Sequence, residues 1–389
     1  MCPDVDPAKD LTRESTGAKY GTNAPVVPAG APGGSDSTRG RPTSSPNTTD
    51  GATGGRMANT PPRPRAVGLV LVPALVLMLA FAFFYVGAFH EPTPHHVPVA
   101  VVGPPAAAVQ LSRLAGDPLD ARQASSRADA LSQIDDREVY GAYEVSTNRL
   151  FVASAANRAT AVALEETFNR AAAAQRRPAV RVTDVKPLPR TDPNGTAAFY
   201  AVIAWVFGGY IGATLIGLIG SPRSSSRRRA AARIGALAGF AIVAGALSVV
   251  MLRASFGAFS GHVVAMCAIG ALTIFASGAA TAGLQAAAGP AGTGLVILVF
   301  VILGNSASGG PFARPLLPGL WRTLGGLLPP GASVDLARSA LFFDGARIAG
   351  PILVLVVWAA LGTLLALALG GRMMRPADTE AAAAAGAAV

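Results

Sequence analysis

The stretch of this chain best equipped for chemistry is Gly304-Asn305-Ser306-Ala307-Ser308-Gly309-Gly310-Pro311-Phe312, where amide and hydroxyl side chains crowd the end of an apolar run. An ordinary membrane helix carries Leu or Val there. Small polar residues either let two backbones approach closely or line a wet path, so Asn305, Ser306, Ser308, Gly309 and Gly310 are the candidate outer gate or pathway. Proline then interrupts the apolar pattern at Pro311, Pro315, Pro318, Pro329 and Pro330. Because proline removes a backbone donor and breaks a helix, segment 311–347 is expected to hold two short amphipathic helices that dip into the membrane interface and return. Asp335 and Arg338 stand at i, i+3, a spacing that lets carboxylate and guanidinium pair on one face and hold the interfacial helix in register.

Other chemistries fit less well. Nucleophilic catalysis needs a serine within hydrogen-bond reach of a base. Ser277 and Ser308 precede glycines and His262 opens an apolar span, but Ser277 falls about four turns from His262 on the same helix, and no elaborated motif surrounds either serine. An intramembrane serine protease is the remote alternative. Phosphate cradling needs a Gly-rich loop ending in Gly-Lys-Ser/Thr, and Lys9, Lys19 and Lys186 all follow residues other than glycine. His90, Glu91, His95 and His96 have zinc-ligand chemistry, yet the prolines around them read better as a juxtamembrane linker. Cys2, in the tail, and Cys267, inside an apolar span, supply no disulfide framework. No catalytic, cofactor or metal residue is assigned, and no enzyme is expected.

A bundle of membrane helices must position the gate residues. Mean hydropathy is +0.42 with 14% charged residues, which points away from a wholly soluble chain. Residues 1–65, rich in Gly, Pro, Ser and Thr, read as a disordered cytoplasmic tail. An apolar run over 66–89 follows Arg56, Arg63 and Arg65 and is long enough to cross the hydrocarbon at about 1.5 Å per residue, an uncleaved anchor. Five further spans are expected at about 196–220, 234–252, 262–286, 293–308 and 350–371. The loop 221–233 holds Arg223, Arg227, Arg228, Arg229 and Arg233 and no acid. Carrying an Arg to the bilayer centre costs roughly 2.5–3.5 kcal/mol, so such a loop stays in the cytoplasm. Counting from it puts 311–347 outside and the C-terminal tail 372–389, with Arg372 and Arg375, inside.

This topology accounts for the net charge of +10, since no basic run is interleaved with aromatics as nucleic-acid binding would require. No charge lies at the centre of a span, which disfavours a carrier driven by buried carboxylates and leaves an amphipathic or lipid-like cargo favoured over a small ion. Gly208 with Gly212 and Gly235 with Gly239 are expected to mark close helix contacts.

Between the first and second spans, residues 90–195 change to short alternating runs and amphipathic segments, an extracytoplasmic α/β domain. Strands are expected at 97–102, 119–124, 139–145, 150–154 and 180–185, and helices at 106–115, 126–135 and 157–175. From Leu119 onward the order is βαββαβ, the ferredoxin-like succession, with an extra strand and helix in front.

Asn305, Gly309-Gly310, Leu317-Pro318-Gly319, Leu328-Pro329 and Asp335 with Arg338 form a succession that resembles the last loop of ABC-2 type exporter permeases, most closely the phage-infection-protein-like branch. By architecture the resemblance covers about four-fifths of the chain, from the first span to the last. It implies a permease subunit that exports a molecule with energy from a separate ATPase, which docks on the Arg loop 221–233. It also implies a homodimer or half of a two-fold assembly in a bacterial plasma membrane, with both termini cytoplasmic. The Arg-dominated, Ala- and Gly-rich composition agrees with a bacterial source. The alternative is a non-transporting envelope protein whose outer domain binds a partner or phage, although five spans beyond that domain exceed what anchoring needs.

Overall fold

The computed structural model describes residues 64–115, 118–220 and 226–370. The expected tail before residue 64, Arg223, and the C-terminal segment with Arg372 and Arg375 lie outside the described residues.

Five described helices are long and apolar enough to cross a membrane: α1 (Pro64–Phe89), α5 (Ala197–Gly220), α6 (Arg227–Phe256), α7 (Val263–Ala288) and α11 (Ala349–Leu369). The expected fifth span is shorter. It opens as α8 (Pro290–Val296), widens into a π-helix over Ile297–Gly304, and ends at Asn305 and Ser306. Helix α6 begins earlier than the sequence suggested, because Ser226 caps it by accepting from the Arg229 N–H. Arg227, Arg228, Arg229 and Arg233 are therefore its first two turns and no longer a loop.

Helix α7 is the axis of the bundle. Its most apolar window is 56% buried, against 6% for α1, and α5, α6 and α11 all pack on it. Small side chains let them in: a Cβ at Gly283 would lie 2.6 Å from the Gly362 carbonyl oxygen of α11, and one at Gly245 of α6 would lie 2.6 Å from the Ala271 N. Dispersion and close backbone approach, rather than the hydrophobic effect, hold helices together in lipid. The expected glycine pairs are a different set from the observed ones. Gly208, Gly235 and Gly239 face open space, and Gly212 meets only the Phe240 ring. Four-residue spacing marks a face without saying whether a neighbour covers it.

The α/β domain contains β1 (Val97–Val102), α2 (Pro105–Ala115), β2 (Leu119–Ala124), α3 (Arg127–Asp135), β3 (Gly141–Glu144), β4 (Arg149–Val152), α4 (Arg158–Ala174) and β5 (Arg181–Asp184). Ser126 and Asn157 cap α3 and α4 through their side-chain oxygens, as such residues do at helix starts. Every expected element is present, but the ferredoxin-like topology is not. The sheet order is β2-β1-β3-β4-β5, with β1 parallel to both neighbours, β3 antiparallel to β4 and β4 parallel to β5. The strand treated as an addition takes a central place because Val97, Val99, Ala100 and Val101 are buried on both faces. Strand β2, carrying Asp120, Arg122 and Gln123, and the exposed β5 are left at the edges, where charge is tolerated.

A Gly362→Val substitution should wedge α7 and α11 apart and cost about 1–3 kcal/mol, read as a lower melting midpoint in detergent. Gly208→Ala, with nothing within 4 Å of the new methyl, should leave that midpoint unchanged.

Candidate functional site

The gate residues lie where the π-helix ends, at the face of the bundle that meets the α/β domain. Asn305, Ser306 and Ser308 are all buried. Ser306 Oγ donates to the Leu303 carbonyl at 3.0 Å and Ser308 Oγ to the Asn305 carbonyl at 2.8 Å, while the Gly310 N–H donates to Ser308 Oγ at 3.2 Å. The hydroxyls thus stitch a tight turn, and Ser308, one of the two serines weighed for a protease, is engaged with backbone; His262 Nδ1 lies 3.2 Å from the Ser260 carbonyl. Gly309 has φ +78°, a left-handed conformation that glycine adopts without strain. Gly310 packs so tightly on the Phe199 ring that no Cβ fits. Among the described residues the Asn305 Oδ1 is buried with no hydrogen-bond donor.

Two further helices complete this face, α9 (Gly319–Gly325) and α10 (Pro329–Phe342). Helix α10 is no amphipathic surface piece: from Pro329 to Ser339 it is buried on nearly every side, against α5, α7 and α11. Its Ser333 Oγ lies 2.8 Å from Thr273 Oγ1 of α7. Small residues let it lodge in the bundle; Gly304 of the π-helix leaves room for Pro330, whose Cγ a Cβ there would approach to 2.9 Å.

The expected Asp335–Arg338 ion pair is not formed. Arg338 turns inward, with Nη1 donating to the Gly309 carbonyl at 2.6 Å and Nη2 to the Gly310 carbonyl at 2.5 Å. One planar fork thereby satisfies the two carbonyls that the turn leaves without helical donors. Burial pulls its guanidinium down to about 10 against an opposing pull from Asp335. It stays charged at neutral pH, and the cost of burying that charge is relieved only above its folded value. Asp335 instead accepts from Arg137 of the α/β domain at 3.4 Å and from Arg314 at 2.6 Å.

Sequence reasoning missed the α/β domain's part in this site. Asn157, the cap of α4, donates to the Gly310 and Pro311 carbonyls at 3.3 and 3.4 Å. Arg137 donates from Nη1 to the Asp335 carbonyl at 2.9 Å and to Ser339 Oγ at 2.5 Å. Phe343, just beyond α10, is buried in the domain's own core with Ala100, Ile134 and Phe151. On the other side Trp321 of α9 donates to the Phe84 carbonyl of α1 at 3.0 Å. No local pattern marks Arg137, since its partners lie about two hundred residues away; an asparagine before a helix announces only a cap.

At the opposite end of the bundle, Arg227, Arg228 and Arg229 are exposed. Arg233 is half-buried, and a Cβ on Gly217 would lie 2.8 Å from its Nη2 and 3.3 Å from Gln285 Oε1. Gln285 Nε2 donates to Thr214 Oγ1 and Thr293 Oγ1 at 3.0 and 2.9 Å, tying α5, α7 and α8 together.

Arg338→Met should leave a buried carbonyl without a donor and cost about 3 kcal/mol. Arg338→Lys should recover only part of this, because an ammonium cannot reproduce the two-pronged fork. Chemical unfolding of the three proteins in one detergent checks both.

The arrangement contains interlocking helices, a polar turn and a domain that clamps it. No curated protein and no solved structure matches the chain. Residues 67–368 match the family model described as ABC-2 family transporter protein, and the chain belongs to that family of membrane transport proteins.

Proposed function

We propose that this chain is the permease subunit of an ABC-2 exporter of the bacterial plasma membrane, with ATP hydrolysed by a separate polypeptide. The observation that carries this is the family match over 67–368 in a chain whose lysines form no phosphate-binding loop. The loop succession around Asn305 and Asp335 favours the phage-infection-protein-like branch. In this reading the short helix Ala291–Gly304, prolonged by Asn305 and Ser306, is the sixth crossing, so that both termini are cytoplasmic and the α/β domain is outside. A single bundle supplies one wall of a two-fold pathway, so two copies are needed.

The buried turn 305–310 is then the outer exit in its closed form. Asn305, Ser306, Ser308, Gly309 and Gly310 shape the exit by packing, and the α/β domain holds it through Asn157 and Arg137. That clamp favours transport over a mere anchor. The cargo class that fits a bundle without charge at its span centres is amphipathic.

Energy would enter at the start of α6. Cations at a helix N-terminus oppose the helix dipole by about 0.3–1 kcal/mol each, so Arg227, Arg228 and Arg229 stand there against local preference. Retention of that end in the cytoplasm is one reason, and an acidic docking surface on the ATPase is a second. Arg233, by its position beside Gly217 and Gln285, would pass a push on α6 to α5 and α7.

Affinity purification of the chain from native membranes should bring down a P-loop ATPase identified by mass spectrometry. Arg227→Gln, Arg228→Gln and Arg229→Gln together should reduce its recovery at least tenfold. An ATPase retained by the triple variant would refute docking at this site, and none with the unaltered chain would refute the partner.

A further inference from the structure

A cleft of about 640 Å³ lies between the α/β domain and the nearby end of the helical bundle. Arg137, Tyr140, Arg314 and Asp335 line its charged part, and Ala349 to Pro351, the start of α11, lie along another side. Helix α11 is long and apolar enough to cross a membrane, so the cleft stands at the level where that helix would leave the hydrocarbon.

Charge is unevenly matched here. Asp335 has both oxygens committed, Oδ1 to Arg137 and Oδ2 to Arg314. Arg338, behind this wall and within electrostatic reach of the same groups, donates only to neutral carbonyls. Two guanidinium groups therefore share one carboxylate and a third, Arg338, has no carboxylate of its own, while the Arg137 and Asp335 side chains are only 14% and 17% exposed. At the rim Arg347 and Glu138 offset each other at 3.8 Å, and the exposed Asp136 accepts from Ser132. Excess positive charge away from bulk water is costly, and a multivalent oxyanion relieves it through charge-assisted, two-pronged hydrogen bonds. The rest of the lining is apolar, including Ile134, Val139 and Ala346.

We infer that this cleft binds a phosphate-class anion carried on the headgroup of an amphiphile, seated by Arg314 and Arg137 with its apolar part toward α11. The inference rests on the cleft's charge and position and does not require the transport reading, so a binding assay without ATPase tests it alone.

The full-length chain, purified in a neutral detergent, is titrated with dihexanoyl phosphatidic acid, with inorganic phosphate, and with dihexanoylglycerol as the uncharged control, and the melting midpoint is followed. The phosphatidic acid should give a saturable rise that the control lacks. A rise with inorganic phosphate as well identifies a site that also takes the free anion, whereas a rise with the amphiphile alone identifies a lipid-headgroup site; both support the inference. Arg314→Gln should weaken apparent affinity roughly tenfold, and Asp335→Asn, which removes the competing carboxylate, should tighten it several-fold. No saturable response to either phosphate compound, an equal response to the control, or an unchanged affinity in folded Arg314→Gln would overturn the inference. If Arg314→Gln does not fold, weaker binding by Asp335→Asn than by the unaltered chain has the same consequence.

Discussion

A turn of backbone can be buried among apolar helices only if its carbonyls find donors, because each one left without a partner costs on the order of 1–3 kcal/mol. The Gly309 and Gly310 carbonyls both meet that condition through Arg338, with Asn157 as a second, longer donor to Gly310. Much of the architecture around them follows. Helix α10 must sit inside the bundle to bring Arg338 there, so it is built of Pro, Gly, Ala and Ser where it enters. Arg338 cannot also neutralise Asp335, so that carboxylate is free to bind Arg137 and Arg314. In this way a local need for hydrogen-bond donors fixes how the α/β domain meets the helices.

The same constraint separates the two ends of the bundle. Around residues 305–311 the polar groups belong largely to backbone and are met by side chains from two domains. Near Gln285 they belong to side chains: its Nε2 donates to Thr214 of α5 and Thr293 of α8, while its buried Oε1 has no donor among the described residues. Between these ends α7 has few large side chains, and its neighbours approach its backbone. A rod that is closely packed along its length and polar at both ends can carry a displacement from one to the other, since packed interiors yield little to compression. On the proposed reading, that is the path from the Arg end of α6 to the closed turn.

The α/β domain shows how an interface can be hidden in plain composition. Its fold closes around Phe343, a residue supplied by the membrane half of the chain. Asn157 serves as an ordinary helix cap with its Oδ1 while its Nδ2 holds the Gly310 and Pro311 carbonyls. Neither role alters the residue's local pattern, so a reading confined to neighbours in sequence finds the cap and not the clamp.

What the sequence by itself determined was whatever depends on short range: five apolar spans, the strands at 97–102 and 119–124, the helices that start at Ser126 and Asn157, and the polar character of the 305–310 turn. Hydrophobic period, capping chemistry and proline are legible because their partners lie within a few residues. Only the tertiary structure decided the rest. It placed β1 at the centre of the sheet, moved the close helix contacts to Gly283 and Gly245, and turned Arg338 away from Asp335. Each of these outcomes is a competition among partners tens to hundreds of residues apart. An i, i+3 pair worth tenths of a kcal/mol yields to two buried carbonyls that have no other donor of comparable strength.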